Sequence, residues 1–322
     1  MPVPSAPRGF PAAYRLRFGF GAPTRVGTRP RAPGRGGAGG DCLSSSRVPF
    51  CPPENRRTTS LAGGVTPLEI VAIVAAGLVA GTMNAIVGSG SLVTFPTLLA
   101  FGYPPVVANV TNTIGVFPGS ISGAIGYRRE LAGQRGRAIW LGGFGIAGGL
   151  TGAVLLLALP ESAFNRIVPI LILFAVVLVA LQPRLSKLMA ARRVVRAERG
   201  LGPGREHPIP LLIGVYLTGV YGGYFGAAQG VILIALLGIF LPDNLQRLNG
   251  MKNVVAALVN GCAAALFAFS GLVNWPVALL LAVGSITGGQ LGAYVGRRLS
   301  PFVLRGAIIV IGTIVGVRLL IG

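Results

Sequence analysis

Apolar segments of near-membrane length follow one another through the chain from about residue 66 onward. A transmembrane helix needs about 20 mostly apolar residues, because the hydrocarbon core of a bilayer is about 30 Å thick. The second and seventh segments are too short to cross alone, and each follows a glycine-rich stretch. The sequence therefore predicts an all-α polytopic integral membrane protein with two broken segments. The segments lie at approximately 66–87, 91–101, 104–127, 138–159, 164–182, 209–228, 230–241, 248–269, 275–296 and 302–321.

Charged residues are too scarce for a water-soluble protein of this size. They make up 11% of the chain, whereas soluble domains carry about 25%. A soluble enzyme and a DNA-binding protein are therefore excluded. The formal net charge of +20 does not indicate nucleic acid, because the basic residues lie between apolar segments, where they are typical of cytoplasmic loops beside anionic lipid headgroups. We expect the lipid bilayer as a partner and no nucleic acid.

Side chains for acid–base or metal chemistry are nearly absent from the apolar segments. The chain has one histidine and three cysteines, with no metal-ligand spacing among them. The carboxylates Glu69, Glu130, Glu161 and Asp243 lie at segment ends and form no pair. We therefore expect no enzyme activity, no metal and no cofactor, and no carboxylate proton relay within the membrane.

Composition divides the chain into four regions. Residues 1–62 are rich in Arg, Pro and Gly and show no apolar period, which predicts a disordered tail, with a mis-assigned start codon as the alternative. The remainder is interpreted as membrane repeat 1 at residues 63–183, a basic cytoplasmic linker at 184–208 and membrane repeat 2 at 209–322.

The two membrane regions carry matching sequence at a near-constant offset. The motif GGLTGA at 148–153 matches GGQLGA at 288–293, an offset of 140 that also places Asn109 over Asn249. These matches predict two homologous four-segment repeats, with about 8 hydrophobic segments and the first of each repeat broken. At an offset of 138, three further residues, Gly81, Gly88 and Pro104, fall on Gly219, Gly226 and Pro242.

The basic residues indicate how the repeats are oriented. Loop 128–137 is basic, whereas its partner 268–277 has no charge. Arg297 and Arg298 fall in a loop whose counterpart is apolar. By the positive-inside rule, equivalent loops of opposite polarity favour inverted repeats, which requires 66–101 and 209–241 to be broken hairpins that do not fully cross. Eight conventional spans in two parallel halves are the alternative.

Two breaks inside apolar segments are the first candidate site. Unwinding of a helix exposes N–H groups that no water can satisfy at membrane depth, and the positive end of a half-helix suits an anion. The alternative is that the glycines only permit close helix packing. The first break (residues 84–91) supplies Asn84, Gly88, Ser89, Gly90 and Ser91, and the second break (residues 222–230) supplies Gly222, Gly223, Gly226 and Gln229.

Glycines at GxxxG spacing in two other segments are expected to have a structural role. Small residues at this spacing allow helix backbones to approach closely. They are Gly145, Gly148, Gly149 and Gly152 in one segment and Gly284, Gly288, Gly292 and Gly296 in the other.

The start of the second full span in each repeat is the other candidate site. Uncharged amides can bind oxyanions, and a lysine would supply one positive charge. The candidates are Asn109 and Asn112 in the first repeat and Asn249 and Lys252 in the second. The alternative for Lys252 is a side chain that extends to the interface, with its amine among the lipid headgroups.

At these residues the chain resembles a known family. The stretch GTMNAIVGSGSLVTFPTLLAFGYPP, followed by ANVTNTIGVFPGSISGAIGYRRE, is similar to the first repeat of the sulfite exporter TauE/SafE family of membrane transporters. The stretch GVYGGYFGAAQGVILIALLG and the LNGMKN segment resemble its second repeat. The resemblance covers about residues 66–321, and it departs from the family at the first break, where three consecutive glycines are usual.

The resemblance implies a secondary transporter of sulfur-containing anions such as sulfite or organosulfonates. With the repeats, it implies alternating access about a central anion site in the plasma membrane of a bacterium. An anion channel and a non-transporting membrane scaffold subunit are the alternatives, and a homo-oligomer stays open. The particular anion, the direction of transport and the coupling ion do not follow from the sequence.

Overall fold

A computed structural model of the chain describes residues 66–198, 209–241, 243–295 and 302–321. These residues form ten α-helices and no strand, so the all-helical prediction is confirmed. The predicted tail at 1–62 lies outside the described residues, as do Pro242 and Gly296. In chain order the helices are α1 (Pro67–Ile86), α2 (Ser91–Ala100), α3 (Pro105–Gly126), α4 (Arg135–Ala158), α5 (Glu161–Glu198), α6 (Ile209–Tyr224), α7 (Gln229–Phe240), α8 (Leu245–Ala268), α9 (Trp275–Val295) and α10 (Phe302–Ile321).

Five of the described helices are long and apolar enough to cross a membrane, namely α1, α4, α5, α8 and α9. The chain is therefore a multi-pass membrane protein. Helix α3 has 22 residues but does not belong to this group. Its asparagine, threonine and serine side chains lower its hydropathy, and most of them are buried against neighbouring helices. A polar helix of this kind is sheltered from lipid by the protein around it.

Helix α5 extends further than the sequence predicted. The apolar segment ends near residue 182, and a basic linker was expected from residue 184, but the helix continues to Glu198. Residues 184–198 are rich in leucine, alanine, arginine and lysine, which favour helix independently of burial. At 38 residues, α5 is about 57 Å long and exceeds the thickness of a bilayer with its headgroups. Residues 199–208 of the expected linker lie outside the described residues.

Local signals in the sequence set the start of two helices. At α1, the Thr66 hydroxyl accepts from the Glu69 amide at 3.3 Å while the Glu69 carboxylate accepts from the Thr66 amide at 2.8 Å, which is a capping box. At α8, the Asn244 side chain accepts from the Arg247 amide at 2.8 Å.

Asp243 pairs with Arg137 and Arg247 and thereby joins the start of α8 to the start of α4.

Glycines bring two pairs of parallel helices into backbone contact, α1 with α9 and α4 with α6. A Cβ atom at Gly288 would lie 2.0 Å from the Leu78 carbonyl oxygen, and one at Gly148 would lie 2.1 Å from the Tyr216 carbonyl oxygen. No real side chain tolerates such distances. The structural role expected for the GxxxG glycines is therefore confirmed for those that the structure describes.

Helices α3 and α8 form the centre of the protein and run antiparallel. Gly123 near the end of α3 faces Asn253 near the start of α8, and Gly261 further along α8 faces Phe117. Helix α3 also contacts α9, and α8 contacts α4. The peripheral helices α5 and α10 run antiparallel too, with Gly312 against Val176.

The helix directions define two ends of the molecule. We name the end that holds the α3–α4 loop (residues 127–134) and the start of α8 the basic end. The end that holds the α8–α9 loop (residues 269–274) is named the opposite end. Helices α1 and α2 enter from the opposite end and return to it, whereas α6 and α7 enter from the basic end and return to it.

Two glycines of α4 provide a matched test of this packing. A Cβ at Gly152 would lie 2.0 Å from the Val220 carbonyl oxygen, whereas a Cβ at Gly143 would meet no atom within 4 Å. We expect Gly152→Ala to lower the free energy of unfolding by about 1–3 kcal/mol through overpacking, and Gly143→Ala to leave it unchanged or raise it slightly. Thermal unfolding of the purified protein in detergent measures the difference. Equal stability of the two variants would contradict the packing.

Candidate functional site

The two breaks meet inside the protein. Helix α1 ends at Ile86 and α2 begins at Ser91, while α6 ends at Tyr224 and α7 begins at Gln229, so the breaks occupy positions related by the 138-residue offset. The Gly230 amide donates to the Gly88 carbonyl oxygen at 3.0 Å. A Cβ at Gly88 would lie 2.3 Å from the Gly230 Cα. The breaks therefore touch backbone to backbone.

Each break reverses the chain through left-handed backbone conformations. Gly88 has φ of +84° and Gly226 has φ of +75°, values that glycine adopts readily. Ala228 has φ of 58° and is the one non-glycine residue with positive φ in the described part of the chain. The backbone of a non-glycine residue is strained in this conformation. Such strain is concentrated at binding sites, where the surrounding structure holds it in place.

Backbone N–H groups lie unused at both breaks. The amides of Ser89 and Gly90 have no hydrogen-bond acceptor among the described residues, and the same holds for the equivalent amides of Ala227 and Ala228. They precede the first turns of α2 and α7, whose helix dipoles add partial positive charge at the same place. Two opposed helix starts with free amides can accommodate an anion.

Two buried side-chain donors at the breaks also lack partners. Ser89 Oγ and Gln229 Nε2 have no hydrogen-bond partner in the described residues, although the two residues are only 1% and 2% exposed. The Gln229 amide is packed against Gly222, where a Cβ would come within 2.5 Å of it. A buried unsatisfied donor costs about 1–3 kcal/mol, so a ligand that accepts from these groups would recover that free energy.

Lys252 lies inside the protein and holds the end of α1. Its side chain is 1% exposed, and Nζ donates to the carbonyl oxygens of Asn84 and Ala85 at 3.1 Å each. Asn253 Nδ2 donates to the Ala85 carbonyl oxygen at 3.3 Å. The alternative that placed the Lys252 amine among lipid headgroups is therefore wrong. No carboxylate pairs with Lys252 in the described part of the chain.

A polar centre joins the first break to both central helices. Asn84 Nδ2 donates to Ser120 Oγ on α3 at 2.7 Å, and Asn260 Nδ2 on α8 donates to the same oxygen at 3.4 Å. Sequence reasoning did not select Ser120. The signal that finds it is the internal repeat, because the 140-residue offset places Ser120 over Asn260.

Of the remaining predicted residues, Asn109 and Asn112 lie toward the opposite end, Asn249 lies toward the basic end, and two glycines have packing contacts. Asn109 Nδ2 donates to the carbonyl oxygen of Tyr224 at the end of α6 at 2.9 Å, and Asn112 accepts from Thr94. Asn249 is buried on the first turns of α8. Two glycines, Gly90 and Gly223, allow close backbone contact, each with a Cβ position within 2.3 Å of a carbonyl oxygen. For these two, the packing interpretation is sufficient.

Among the described residues, the site is rich in hydrogen-bond donors and contains no acidic side chain. Its donors are the free backbone amides of the two breaks, the Ser89 hydroxyl and the Gln229 side-chain amide, and it also contains the buried Lys252. The described residues contain no group of His, Cys, Asp or Glu that could hold a metal ion. Such an arrangement favours an oxyanion and disfavours a cation.

The chain is similar to known membrane proteins. A protein-family model described as "Sulfite exporter TauE/SafE" matches residues 73–319. The chain is 29% identical over 228 residues to a "Probable membrane transporter protein" of Haemophilus influenzae, covering 70% of this chain and 85% of the relative. It is 26% identical over 257 residues to the "Probable membrane transporter protein YfcA" of Escherichia coli K12, covering 80% and 91%. No solved structure matches.

The contact between the breaks can be tested with two glycines of the same conformation. Gly88 and Gly102 have φ of +84° and +85°, but a Cβ at Gly102 would meet nothing within 4 Å. Substitution by alanine costs about 1–2 kcal/mol at either position for the left-handed conformation alone. We expect Gly88→Ala to lower the thermal unfolding temperature clearly more than Gly102→Ala, because only Gly88 touches the other break. Equal losses would argue against the contact.

Proposed function

Because the chain belongs to the sulfite exporter TauE/SafE family, we propose that it is a secondary transporter of small sulfur-containing anions such as sulfite or organosulfonates in a bacterial plasma membrane. The observation that carries this proposal is the meeting of two helix breaks whose amides and side-chain donors have no partner, beside a buried lysine with no acidic partner in the described residues. An anion supplies the acceptors and the negative charge that this place lacks.

The donors suit the shape of a sulfur oxyanion. Sulfite and sulfonates present three oxygens around one sulfur atom, so one anion can accept from several directions at once. The first break supplies its free amides and Ser89, and the second break supplies its free amides and Gln229. Lys252 has three N–H donors and uses two for the carbonyl oxygens of α1, which leaves one for the anion.

The helix contacts support an inverted repeat as the frame for alternating access. Exchange of each helix of the first half with the helix five places later reproduces the pattern of contacts, since α1 with α9 corresponds to α6 with α4, and α3 with α9 corresponds to α8 with α4. The equivalent helices α3 and α8 run antiparallel, as do α5 and α10. This arrangement favours inverted over parallel halves.

The proposed movement separates the halves on either side of the polar centre. Near the basic end, the end of α1 is held by Lys252 and Asn253 of the other half. Near the opposite end, the end of α6 is held by Asn109 of the other half. Release of one set of bonds while the other is kept would open the site to one side at a time, which is the requirement of alternating access.

Lys252 can be tested against the other lysine of the chain, Lys187, which is exposed on α5. We expect flux of labelled sulfite and of a simple alkyl sulfonate into proteoliposomes to be saturable and to show counterflow. Lys252→Met should abolish this flux because the site loses the one cation that the described residues place there, and Lys187→Met should leave it unchanged. Thermal unfolding and size-exclusion profiles show whether each variant is folded.

The alternatives give different results in the same assay. Flux that does not saturate and shows no counterflow would indicate a channel. Absence of flux for both anions, together with stable co-purification of another protein, would indicate a scaffold. Flux that survives in folded Lys252→Met would remove Lys252 from the site.

Ser89 offers a test in which stability and transport are expected to separate. Its hydroxyl has no partner in the described residues, so Ser89→Ala should not lower the unfolding temperature. If the hydroxyl donates to the anion, the variant should raise KM about tenfold, as expected for a lost hydrogen bond to a charged group. An unchanged KM, with stability also unchanged, would show that Ser89 does not contact the anion.

A further inference from the structure

A cavity of about 310 Å³ opens at the basic end between the last turns of α3 and α9. Its lining includes Arg128, Arg129, Gln290 and Tyr294. Both arginines are exposed, and neither forms a side-chain hydrogen bond or an ion pair with the residues that the structure describes. Two other arginines at this end, Arg137 and Arg247, are instead engaged by Asp243. The cavity therefore presents two uncompensated guanidinium groups.

The cavity lies close to the buried lysine along the protein axis. Gly123 faces Ala85 and Asn253, which are directly at the Lys252 amine. Gly126, which lines the cavity, follows Gly123 by three residues of the same helix, about 5 Å along the helix axis. Gln290 spans this interval, because it lines the cavity and its Nε2 donates to the Ser122 carbonyl oxygen at 3.1 Å.

Among the residues that the structure describes, the opposite end has no comparable group of cations. The α8–α9 loop, which is the repeat counterpart of the arginine-bearing loop, contains no charged residue. The described charged residues near that end balance, with Glu69 and Glu161 against Arg166 and Arg318. Within the described part of the chain, the uncompensated cations therefore lie at the basic end.

We propose that the cavity lined by Arg128 and Arg129 is an anion-collecting vestibule for the central site, on the side from which the transporter loads its substrate. This inference rests on the proposed function and adds the residues that collect the anion before it reaches the central site. By the positive-inside rule, the arginine-bearing loop faces the cytoplasm, so the loading side is cytoplasmic. In this proposal, the two guanidinium groups raise the anion concentration in the cavity, and the oxyanion moves from there to Lys252.

The test compares KM at the two faces of the membrane. Inside-out and right-side-out vesicles from expressing cells expose the cytoplasmic and outer faces, and sulfite is the probe. The double variant Arg128→Gln with Arg129→Gln should raise KM at the cytoplasmic face about tenfold, with maximal rate and outer-face KM unchanged. High ionic strength should reduce the difference from the unaltered protein, because salt screens exposed charges. Neither arginine holds the fold through a described side-chain bond, so the variant should remain stable.

A charge-matched control is Arg135→Gln with Arg184→Gln, which removes two exposed arginines outside the cavity lining. An equal rise in KM for this control would attribute the effect to net charge and overturn the vestibule.

An unchanged cytoplasmic KM in the Arg128 and Arg129 variant, with loss of a dependence on anionic phospholipid, would assign the cavity to a lipid phosphate and also overturn the vestibule. Saturable flux in the unaltered protein with equal KM effects at both faces would overturn the side of entry while keeping the proposed function. Absence of flux in the unaltered protein would overturn both.

Discussion

The constraint on which the structure depends is that every interrupted helix must satisfy its terminal carbonyl groups without water. Helices α1 and α6 both end inside the protein, and each end is held by a side chain from a central helix of the other half. Lys252 and Asn253 serve α1, and Asn109 serves α6. Because each half completes the other's broken helix, carbonyl groups at the helix ends are satisfied, while the amides that precede α2 and α7 have no acceptor among the described residues.

The same constraint explains which features the sequence could predict. Apolar run lengths located all ten described helices, and the glycine-rich stretches located both breaks to within a few residues. These features are local, since each depends only on the composition of one continuous stretch of sequence. The extension of α5 was missed because arginine and lysine in residues 184–198 indicate a loop by charge but a helix by propensity.

Hydrogen-bond partners that lie on different helices were harder to predict from the sequence. Asn84 and Lys252 were each selected as polar residues in apolar segments, but nothing in their spacing showed that the amine donates to the backbone of Asn84 rather than to lipid. Ser120 is one of several small polar residues on α3 and stands out only when the internal offset is applied to it as well as to the asparagines. Contacts between halves depend on how the halves face each other, and only the repeat carries that information in the sequence.

The contact between Gly88 and Gly230 limits how this site can evolve. In most packed pairs, a larger side chain on one side can be compensated by a smaller one on the other. Here neither partner has a side-chain atom left to remove, so no second substitution at the other position can restore the lost space. Under the proposed function, a change of substrate preference would therefore have to come from neighbouring positions such as Ser89 and Gln229, while the crossing of the two backbones stays fixed.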